Sequence, residues 1–483
     1  MARIYPLQDV PEPNLMENIF NYARPPRIKL SGPIYEEIDG QLTCFDPDEA
    51  LARELCVTDT TFRDGQQSRP PYTIDQQVQL YEYLAKLDNG MGVIRQTEFF
   101  LYTKNDRAAL ERCRELGHRY PEITGWIRAN KGDFRLVKAA KLSETGMLTS
   151  SSDYHIFHKQ KQTRRQAFDQ YIGVVEAAFE AAVQPRCHLE DVTRADWEGF
   201  VFPFVQKLAE LSEQVPHHLK AKVRLCDTMG FGVTYPGAVP PRSIPKLIYK
   251  MIHECGIPPE RLEWHGHNDF HKVHINATST WLYGCDAVNC TLFGFGERTG
   301  NPPLEAALME LIALRGSTLG LQLPYITEAA NYMLSIGMPI PGNYPFVGKD
   351  FNTTRAGIHA GGLRRDERIY NIFDTGALLN RPPRVAITDK TGTDGIAVWV
   401  NDFLGTKGTP DAVGVTKVVK IQKWVMEQYN EHGRLTAISD QELTEQVKQH
   451  LPRLYARYKG GNQDPPLATA KPDAAVEEQT GDA

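Results

Sequence analysis

The chain has 483 residues, a formal net charge of −6 and ordinary hydrophobic (41%) and charged (24%) fractions. This length suffices for one large α/β domain with a smaller appendage, and the acidic balance gives no general reason to bind nucleic acid or a membrane surface. Its eight cysteines form no Cys-x-x-Cys pair, and no segment approaches the length of a membrane span. We therefore expect a soluble, cytoplasmic protein without a disulfide framework.

Strand-like and helical segments alternate eight times after an amino-terminal extension, residues 1–50. The predicted strands cover residues 57–62, 93–100, 123–128, 146–149, 186–189, 222–226, 262–267 and 287–295. Capping-box patterns that start at Thr73 and Thr163 mark two of the intervening helices. Strands that alternate with helices are parallel, so the sequence predicts a closed (β/α)8 TIM barrel over residues 51–323.

The remainder of the chain lacks this alternation. Residues 324–459 predict smaller helical and mixed subdomains that form a lid over a barrel mouth. Residues 460–483 are rich in Pro, Ala, Asp, Glu and Gly without periodicity, which is typical of a disordered tail.

Three segments at predicted strand ends carry residues that bind metals. His265 and His267 alternate on one strand and therefore project from the same face. Asp64 follows the first predicted strand and Asn301 follows the eighth, which closure places between the first and the seventh. Oxygen and imidazole ligands without cysteine suit a divalent ion such as Mn²⁺, Mg²⁺ or Zn²⁺ with open coordination positions. Each segment alone is an ordinary turn or strand end, but together they predict a catalytic metal site.

Other strand ends supply candidate groups for substrate and proton transfer. Glu190, after the fifth strand, is the first candidate acid or base, and the Thr228 hydroxyl is placed to bind a substrate carboxylate. The alternative for each strand-end residue is a solvated or salt-bridged position on the rim, and Arg186 favours that alternative. The further substrate-binding candidates at strand ends are Glu98, Arg128, Asn130 and His188.

Taken together, these motifs resemble those of a known family. Thr60 to Gln67 (TTFRDGQQ), His265 to Asp269 (HGHND) and Gly296 to Asn301 (GERTGN) are similar to the signatures of the DRE-TIM metallolyases. Within that family the chain resembles the group of 2-isopropylmalate, homocitrate and Re-type citrate synthases. The resemblance covers about residues 56–404, and it implies an acetyl-CoA-dependent Claisen condensation onto a 2-oxo acid, followed by thioester hydrolysis.

The resemblance also implies roles for individual residues. The metal would be held by Asp64, His265 and His267, with Arg63 beside the oxygen on which charge develops. Glu190 matches the glutamate of the family's strand-5 motif, and His359 matches the histidine of its Gly-Ile-His segment. Gln67 belongs to the motif that lines the substrate. The family implies a homodimer that exchanges its lid, but its catalytic tyrosine has no secure match here.

The identity of the 2-oxo acid decides the biological role. Inward positions of Arg128, Asn130, Arg186 and His188 favour a substrate with a second carboxylate over the branched apolar substrate of an isopropylmalate synthase. Asn130 replaces the histidine expected of a homocitrate synthase. The segments 94–100 and 125–130 are most similar to the Re-type citrate synthases, which implies oxaloacetate; isopropylmalate and homocitrate synthases stay as alternatives.

Other functional classes fit less well. A biotin-dependent carboxyltransferase would require a Met-Lys-Met module, and an acyl-CoA lyase of the hydroxymethylglutaryl type would carry a Gly-Cys-Pro loop near the eighth strand; the chain has neither. A non-catalytic scaffold on the same barrel is the non-enzyme alternative, and the presence of Arg63 with all the metal ligands argues against it.

Overall fold

The computed structural model of the protein describes residues 2–459, and the predicted disordered tail, 460–483, lies outside the described residues. The described chain divides into two compact units. The first extends to Phe351 and takes in Ile372–Pro382, and the second comprises Asn352–Asn371 and continues from Pro383. The predicted lid, residues 324–459, is thus divided between both units.

Eight parallel strands of the first unit close into a barrel, as predicted. A hairpin of β1 (Ile34–Ile38) and β2 (Gln41–Phe45) precedes it. The barrel strands are β3 (Cys56–Asp59), β4 (Ile94–Phe100), β5 (Glu122–Arg128), β6 (Glu144–Ser150), β7 (Gln184–Glu190), β8 (Lys222–Asp227), β9 (Leu262–Gly266) and β10 (Ala287–Cys290). Closure is direct, because β10 pairs with both β9 and β3.

Helices surround the barrel. The first unit contains α1 (Pro47–Ala52), α2 (Ile74–Asp88), α3 (Lys104–Glu115), α4 (Phe134–Ala139), α5 (Arg164–Glu180), α6 (Phe202–Ser212), α7 (Ile244–His253), α8 (Val273–Tyr283), α9 (Leu304–Arg315), α10 (Pro324–Ser335) and α12 (Thr375–Leu379). Both predicted capping boxes are confirmed: the Thr73 and Thr163 hydroxyls accept hydrogen bonds from the backbone N–H groups of Gln76 and Gln166.

Two predicted strands end earlier than expected. Strand β3 stops at Asp59, because the chain turns at Thr60, whose carbonyl accepts the backbone N–H of Arg63 at 3.1 Å. Strand β10 stops at Cys290 instead of residue 295, because the left-handed backbone of Phe293 (φ 55°) cannot continue a strand. Both turns carry the chain away from the barrel wall and place the following segment over its carboxyl end.

The second unit has its own small core. It contains β11 (Thr353–Thr354) paired with β12 (Arg384–Val385), and the helices α11 (Gly357–Arg365), α13 (Thr393–Leu404), α14 (Val419–Asn430), α15 (Asp440–His450) and α16 (Pro452–Lys459). Ile396, Val400, Ile421, Val425 and Val447 are buried together in it. A helical region with a minor strand pair therefore follows the barrel, as predicted.

The remaining expectations on cysteines and membrane spans concern the whole described chain. All eight cysteines are free thiols, and seven of them are buried. Among residues 2–459, none of the helices combines the length and the apolar character that crossing a membrane requires.

Candidate metal centre

Three predicted ligands meet at the carboxyl end of the barrel. Asp64 lies in the turn after β3, His265 lies in β9 and His267 directly follows that strand. One ligand atom from each lies within 4.8 Å of the others, and His265 Nε2 is 3.1 Å from Asp64 Oδ2. Barrel closure therefore brings together residues that lie far apart in the sequence, as barrel geometry predicts.

A chain of hydrogen bonds fixes the orientation of His265. Asn289 Nδ2 donates to Thr58 Oγ1 at 2.8 Å, so the Asn289 Oδ1 atom faces His265 Nδ1, also at 2.8 Å. Thr58 in turn donates to Glu263. His265 Nδ1 must therefore carry the proton and donate it to Asn289, which leaves the Nε2 lone pair directed toward Asp64.

The protonation states of all three residues are those that bind a cation. Burial lowers the pKa of His265 to about 3, although the charge of Asp64 opposes this shift. Burial also lowers the pKa of His267. Burial would raise the pKa of Asp64, but the charge of Arg63, followed by the two histidines, outweighs it and lowers that pKa. At neutral pH the site offers a carboxylate and two neutral imidazoles.

Buried polar atoms without hydrogen-bond partners support a metal site. Asp64 Oδ2, His267 Nδ1 and Asn301 Oδ1 are all buried without such a partner. Asn301 lies against the histidine segment, since its Nδ2 donates to Gly266 O at 3.4 Å. A Cβ at Gly296 would come within 1.8 Å of Asn301 Oδ1, so only glycine permits this approach. An unpaired buried oxygen or nitrogen is costly, and a bound divalent ion would satisfy these atoms.

Arg63 lies beside the ligands and is held in place from two sides. Its Nε donates to Glu98 Oε1 at 3.0 Å, and its Nη1 contacts Asp64 Oδ1. The guanidinium also lies over the Trp126 ring, with Cζ 5.3 Å from the ring centroid. Arg63 is only 8% exposed, so its charge acts in a site largely shielded from water.

Below the ligands, the barrel interior contains a network of ion pairs. Glu98 accepts from Arg186 at 2.8 Å and from Arg224 at 3.1 Å, and Arg224 also donates to Glu263 at 2.6 Å. His188 lies in the same layer, with Nε2 3.3 Å from Arg186 Nε and 3.5 Å from Glu98 Oε2. The cationic surroundings lower the pKa of Glu98 well below its usual value, although its burial acts in the opposite direction.

This network corrects the expectation that Arg186 offers its charge at the rim. Arg186 is 1% exposed, and its guanidinium donates to Glu98, Glu144 and Gln96. Its side chain points inward, as expected, and is salt-bridged, but it lies inside the barrel and not on the rim. His188 and Glu98 are each 1% exposed and thus lie beneath the open end of the site.

Glu190 ends β7 and is ionised. Burial would raise its pKa, but a hydrogen bond from His155 and the charge of Lys159 outweigh burial and lower the pKa to about 2. His155 Nδ1 is 3.1 Å from Glu190 Oε2, Lys159 Nζ is 3.0 Å from both carboxylate oxygens, and the Ser150 hydroxyl donates to it as well. Glu190 is therefore a carboxylate at neutral pH.

The other substrate-binding candidates occupy several places on the rim. The Thr228 hydroxyl is half-buried and accepts the backbone N–H of Asp191 at 2.8 Å. Arg128 is exposed and pairs with Asp133 at 3.2 Å, whereas the Asn130 side chain accepts the N–H of Gly132 in the next turn. Gln67 is exposed at the end of the Asp64 turn. Arg128 and Asn130 are thus engaged in local contacts.

His359 belongs to the second unit, on α11, and is exposed. Its ring centroid lies 4.4 Å from that of Tyr370. An imidazole and a phenol are therefore presented together by this unit.

The residues that orient the site were missed by sequence reasoning. Asn289, Thr58 and Glu263 carry the hydrogen-bond chain to His265, and His155 with Lys159 holds Glu190. Strand alternation could have indicated Asn289, because it points inward next to the outward Val288. Asn289 pairs in register with His265. His155 and Lys159 lie in a short helical turn after β6, for which no pattern in the sequence indicates contact with β7.

Residues 54–333 match the HMGL-like family model. The chain belongs to the HMGL-like family, and the predicted resemblance to the DRE-TIM metallolyases is confirmed.

Individual relatives of the chain carry more specific names than the family model does. The chain is 51% identical to a protein from Syntrophus aciditrophicus (strain SB) named Citrate (Re)-synthase, over 93% of this chain and 70% of that protein. It is 46% identical to the Citrate (Re)-synthase of Clostridium kluyveri, over 93% of this chain and 96% of the relative. It is 37% identical to the 2-phosphinomethylmalate synthase of Streptomyces hygroscopicus, over 81% of this chain and 89% of that protein.

Proposed function

We propose that the protein condenses acetyl-CoA with oxaloacetate and hydrolyses the resulting thioester to citrate and CoA. The Asp64, His265 and His267 cluster, with Arg63 beside it, is the observation that carries the reaction class. Identities of 51% and 46% to two proteins named Citrate (Re)-synthase support oxaloacetate as the acceptor.

The ligand set fits a divalent ion such as Mn²⁺, Mg²⁺ or Zn²⁺, held by Asp64, His265 and His267 with Asn301 beside them. When bound, such an ion supplies Lewis-acid polarisation of a carbonyl group. Arg63 would stabilise the negative charge that develops on the former keto oxygen during attack. Since Glu98 holds the Arg63 Nε at 3.0 Å, the guanidinium is oriented before the reaction begins.

Proton removal from the acetyl methyl group is the other requirement. Glu190 and His359 are the proposed acid–base groups. With a pKa of about 2, the Glu190 carboxylate is ionised and holds a proton only weakly. It therefore suits orienting the group that accepts the methyl proton, or passing that proton on. We assign the retention of the proton to His359, because a neutral imidazole can accept a proton at one ring nitrogen.

Substrate orientation is assigned to the polar rim. The residues proposed to orient the 2-oxo acid, by contact or through Arg63, are Gln67, Glu98, Arg128, Asn130, His188 and Thr228. Of these, Thr228 has the most direct claim, because its hydroxyl is half-buried and its proton is free to donate while its oxygen accepts from Asp191. The deeply buried Glu98 and His188 would act on the substrate through Arg63 and the network beneath it.

A thiol-release assay with acetyl-CoA and divalent metal tests the substrate. We expect CoA release with oxaloacetate and little with 2-oxoisovalerate, 2-oxoglutarate or pyruvate. Citrate should be identified as the product by mass. Activity with 2-oxoisovalerate alone would overturn the choice of acceptor but preserve the reaction class, and no CoA release with any acceptor would overturn the condensation.

Assembly and location complete the proposal. We place the protein in the cytoplasm as a homodimer whose subunits exchange their second units, as the family resemblance implies. Light scattering on the purified full-length chain should give twice the chain mass of 54.4 kDa. Mixing a His359→Ala variant with an Asp64→Asn variant should restore part of the activity, whereas no restoration would contradict the exchange.

A further inference from the structure

A second cavity lies at the amino-terminal end of the barrel, opposite the metal centre. Its volume is about 610 Å³, which is within the usual size range of small-molecule sites. It opens where four adjacent strands begin, and Glu122, Glu144, Gln184 and Lys222 line it from β5, β6, β7 and β8. Asp64, Glu190, His265 and His267 lie at the other end of the same barrel.

The lining of this cavity is basic in a chain that is acidic overall. Three cations, Arg114, Lys141 and Lys222, face two carboxylates, and His118 and His218 add two imidazoles. The formal net charge of the whole chain is −6. Arg114 pairs with Glu111 and Lys222 pairs with Glu144, so the positive charge that is left to attract an anion is that of Lys141.

The charges on the cavity floor are already paired. Glu144 accepts from Lys222 at 2.7 Å and from Arg186 at 2.8 Å, so two cations compensate its negative charge. Gln96 Nε2 donates to Glu144 at 2.7 Å and to Glu122 at 3.2 Å. Glu144 therefore repels an anion less than an unpaired carboxylate would. Through Arg186 it also contacts the ion-pair network that includes Glu98.

Lys141 is the cation that has no partner. Within residues 2–459, its ammonium group takes part in no hydrogen bond or ion pair, and it is exposed at the cavity wall. Lys141 follows the end of α4 with a left-handed backbone, φ 51°, where glycine is the residue of lowest cost. The local fold thus gains nothing from a lysine, and its charge is available for a ligand.

We propose that this cavity binds a small polyanion that carries phosphate or carboxylate groups. Lys141 supplies the free charge, and the imidazoles of His118 and His218 supply further donors around the rim. This site is separate from the metal centre, and the proposal is independent of the function proposed above.

Calorimetric titration of the metal-free, full-length protein tests the site with two probes, inorganic phosphate and tricarballylate. We expect a saturable binding step that depends on Lys141. Lys141→Gly removes the ammonium group and suits the left-handed backbone, so it should fold and weaken binding about tenfold. Lys141→Arg keeps the positive charge and should bind the anion about as well as wild type does. The preferred probe identifies the source as a phosphate or a carboxylate.

Two control variants show whether the anion binds in this cavity or elsewhere on the protein. Lys138→Ala removes an exposed lysine of the neighbouring helix α4 that does not line the cavity, and it should leave binding unchanged. Asp64→Asn alters the metal centre and should also leave binding unchanged. Equal affinity in wild type and Lys141→Gly, loss of binding in Asp64→Asn, or no saturable binding of either probe would each overturn the proposal.

Discussion

The two faces of the barrel strands are built differently, although the same strands supply both. On β7, Arg186 and His188 face the barrel interior, whereas Cys187 and Leu189 face the helices. All four side chains are buried. The outward face is stabilised by apolar burial, and the inward face depends on pairing each charge with an opposite one.

Buried carboxylates show how much that pairing matters. Glu98, inside the barrel, is surrounded by arginines that lower its pKa despite its burial. Glu305, on α9 outside the barrel, is equally buried and accepts the backbone N–H of Phe293, but no cation among the described residues pairs with it, and burial raises its pKa to about 7. The same side chain is therefore ionised at neutral pH in one layer and only partly ionised in the other.

Loss of a charge inside the barrel should have the largest effect. Glu98→Gln leaves Arg63, Arg186 and Arg224 without a shared carboxylate, so we expect the barrel unit to lose about 3–5 kcal/mol of stability. Urea unfolding measures this change. Glu82→Gln, which breaks an exposed pair with Lys86, is the control and should cost less than about 1 kcal/mol. A similar small cost for both variants would contradict the role of the network.

Truncation on the outward face should cost somewhat less. Leu225 is fully buried between β8 and the helices, so Leu225→Ala should destabilise the unit by about 2–5 kcal/mol through lost burial and a cavity. Leu225→Met keeps the volume and should cost less than about 1.5 kcal/mol. If the two variants were equally unstable in urea unfolding, shape and not burial would govern this layer.

Removal of the unpaired carboxylate tests the contrast by pH. Because the folded state raises the pKa of Glu305 from 4.5 to about 7, it binds more protons than the unfolded chain in this window. Its stabilising contribution is full below pH 4.5 and is lost as the pH rises through about 7, by up to about 3 kcal/mol. Glu305→Gln should remove this loss and raise the melting temperature most above pH 7.

A matched variant on the same helix isolates the effect. Glu310 is half-exposed, and Glu310→Gln should leave the pH dependence of the melting temperature as in wild type. Parallel pH profiles for wild type and Glu305→Gln would contradict the account of Glu305.

The smallest effect is expected at a helix cap outside the barrel. Thr163 accepts the N–H of Gln166 at the start of α5, so Thr163→Ala should cost about 1 kcal/mol. Thr163→Ser keeps the hydroxyl and should restore most of that stability. Thermal unfolding of both variants measures the difference, and equal melting temperatures would show that the capping box adds nothing in this context.

The contrast between the faces also accounts for what the sequence could predict. Apolar alternation and turn residues were enough for the barrel, and the short motifs were enough for Asp64, His265 and His267. The partners of Arg186, the low pKa of Glu190 and the Asn289 contact depend on which inward groups meet across the barrel. That pairing is set by strand register and side-chain geometry. The alternation of inward and outward side chains along a strand predicts neither.

The early end of β10 has a similar cause. Its sequence continues as an apolar run, but a left-handed residue at Phe293, whose N–H is held by Glu305, turns the chain toward Asn301. A phenylalanine carries no local signal for that conformation, so the long-range contact decides the strand end.

The central claim is that Asp64, with the two histidines, makes citrate formation dependent on a divalent ion. The direct measurement titrates metal-stripped protein with Mn²⁺ and follows both bound ion and citrate formed from acetyl-CoA and oxaloacetate. Wild type should bind one ion per chain and gain activity in proportion, and Asp64→Asn should fold normally but do neither. Full activity in metal-stripped wild type, or in Asp64→Asn, would contradict the claim.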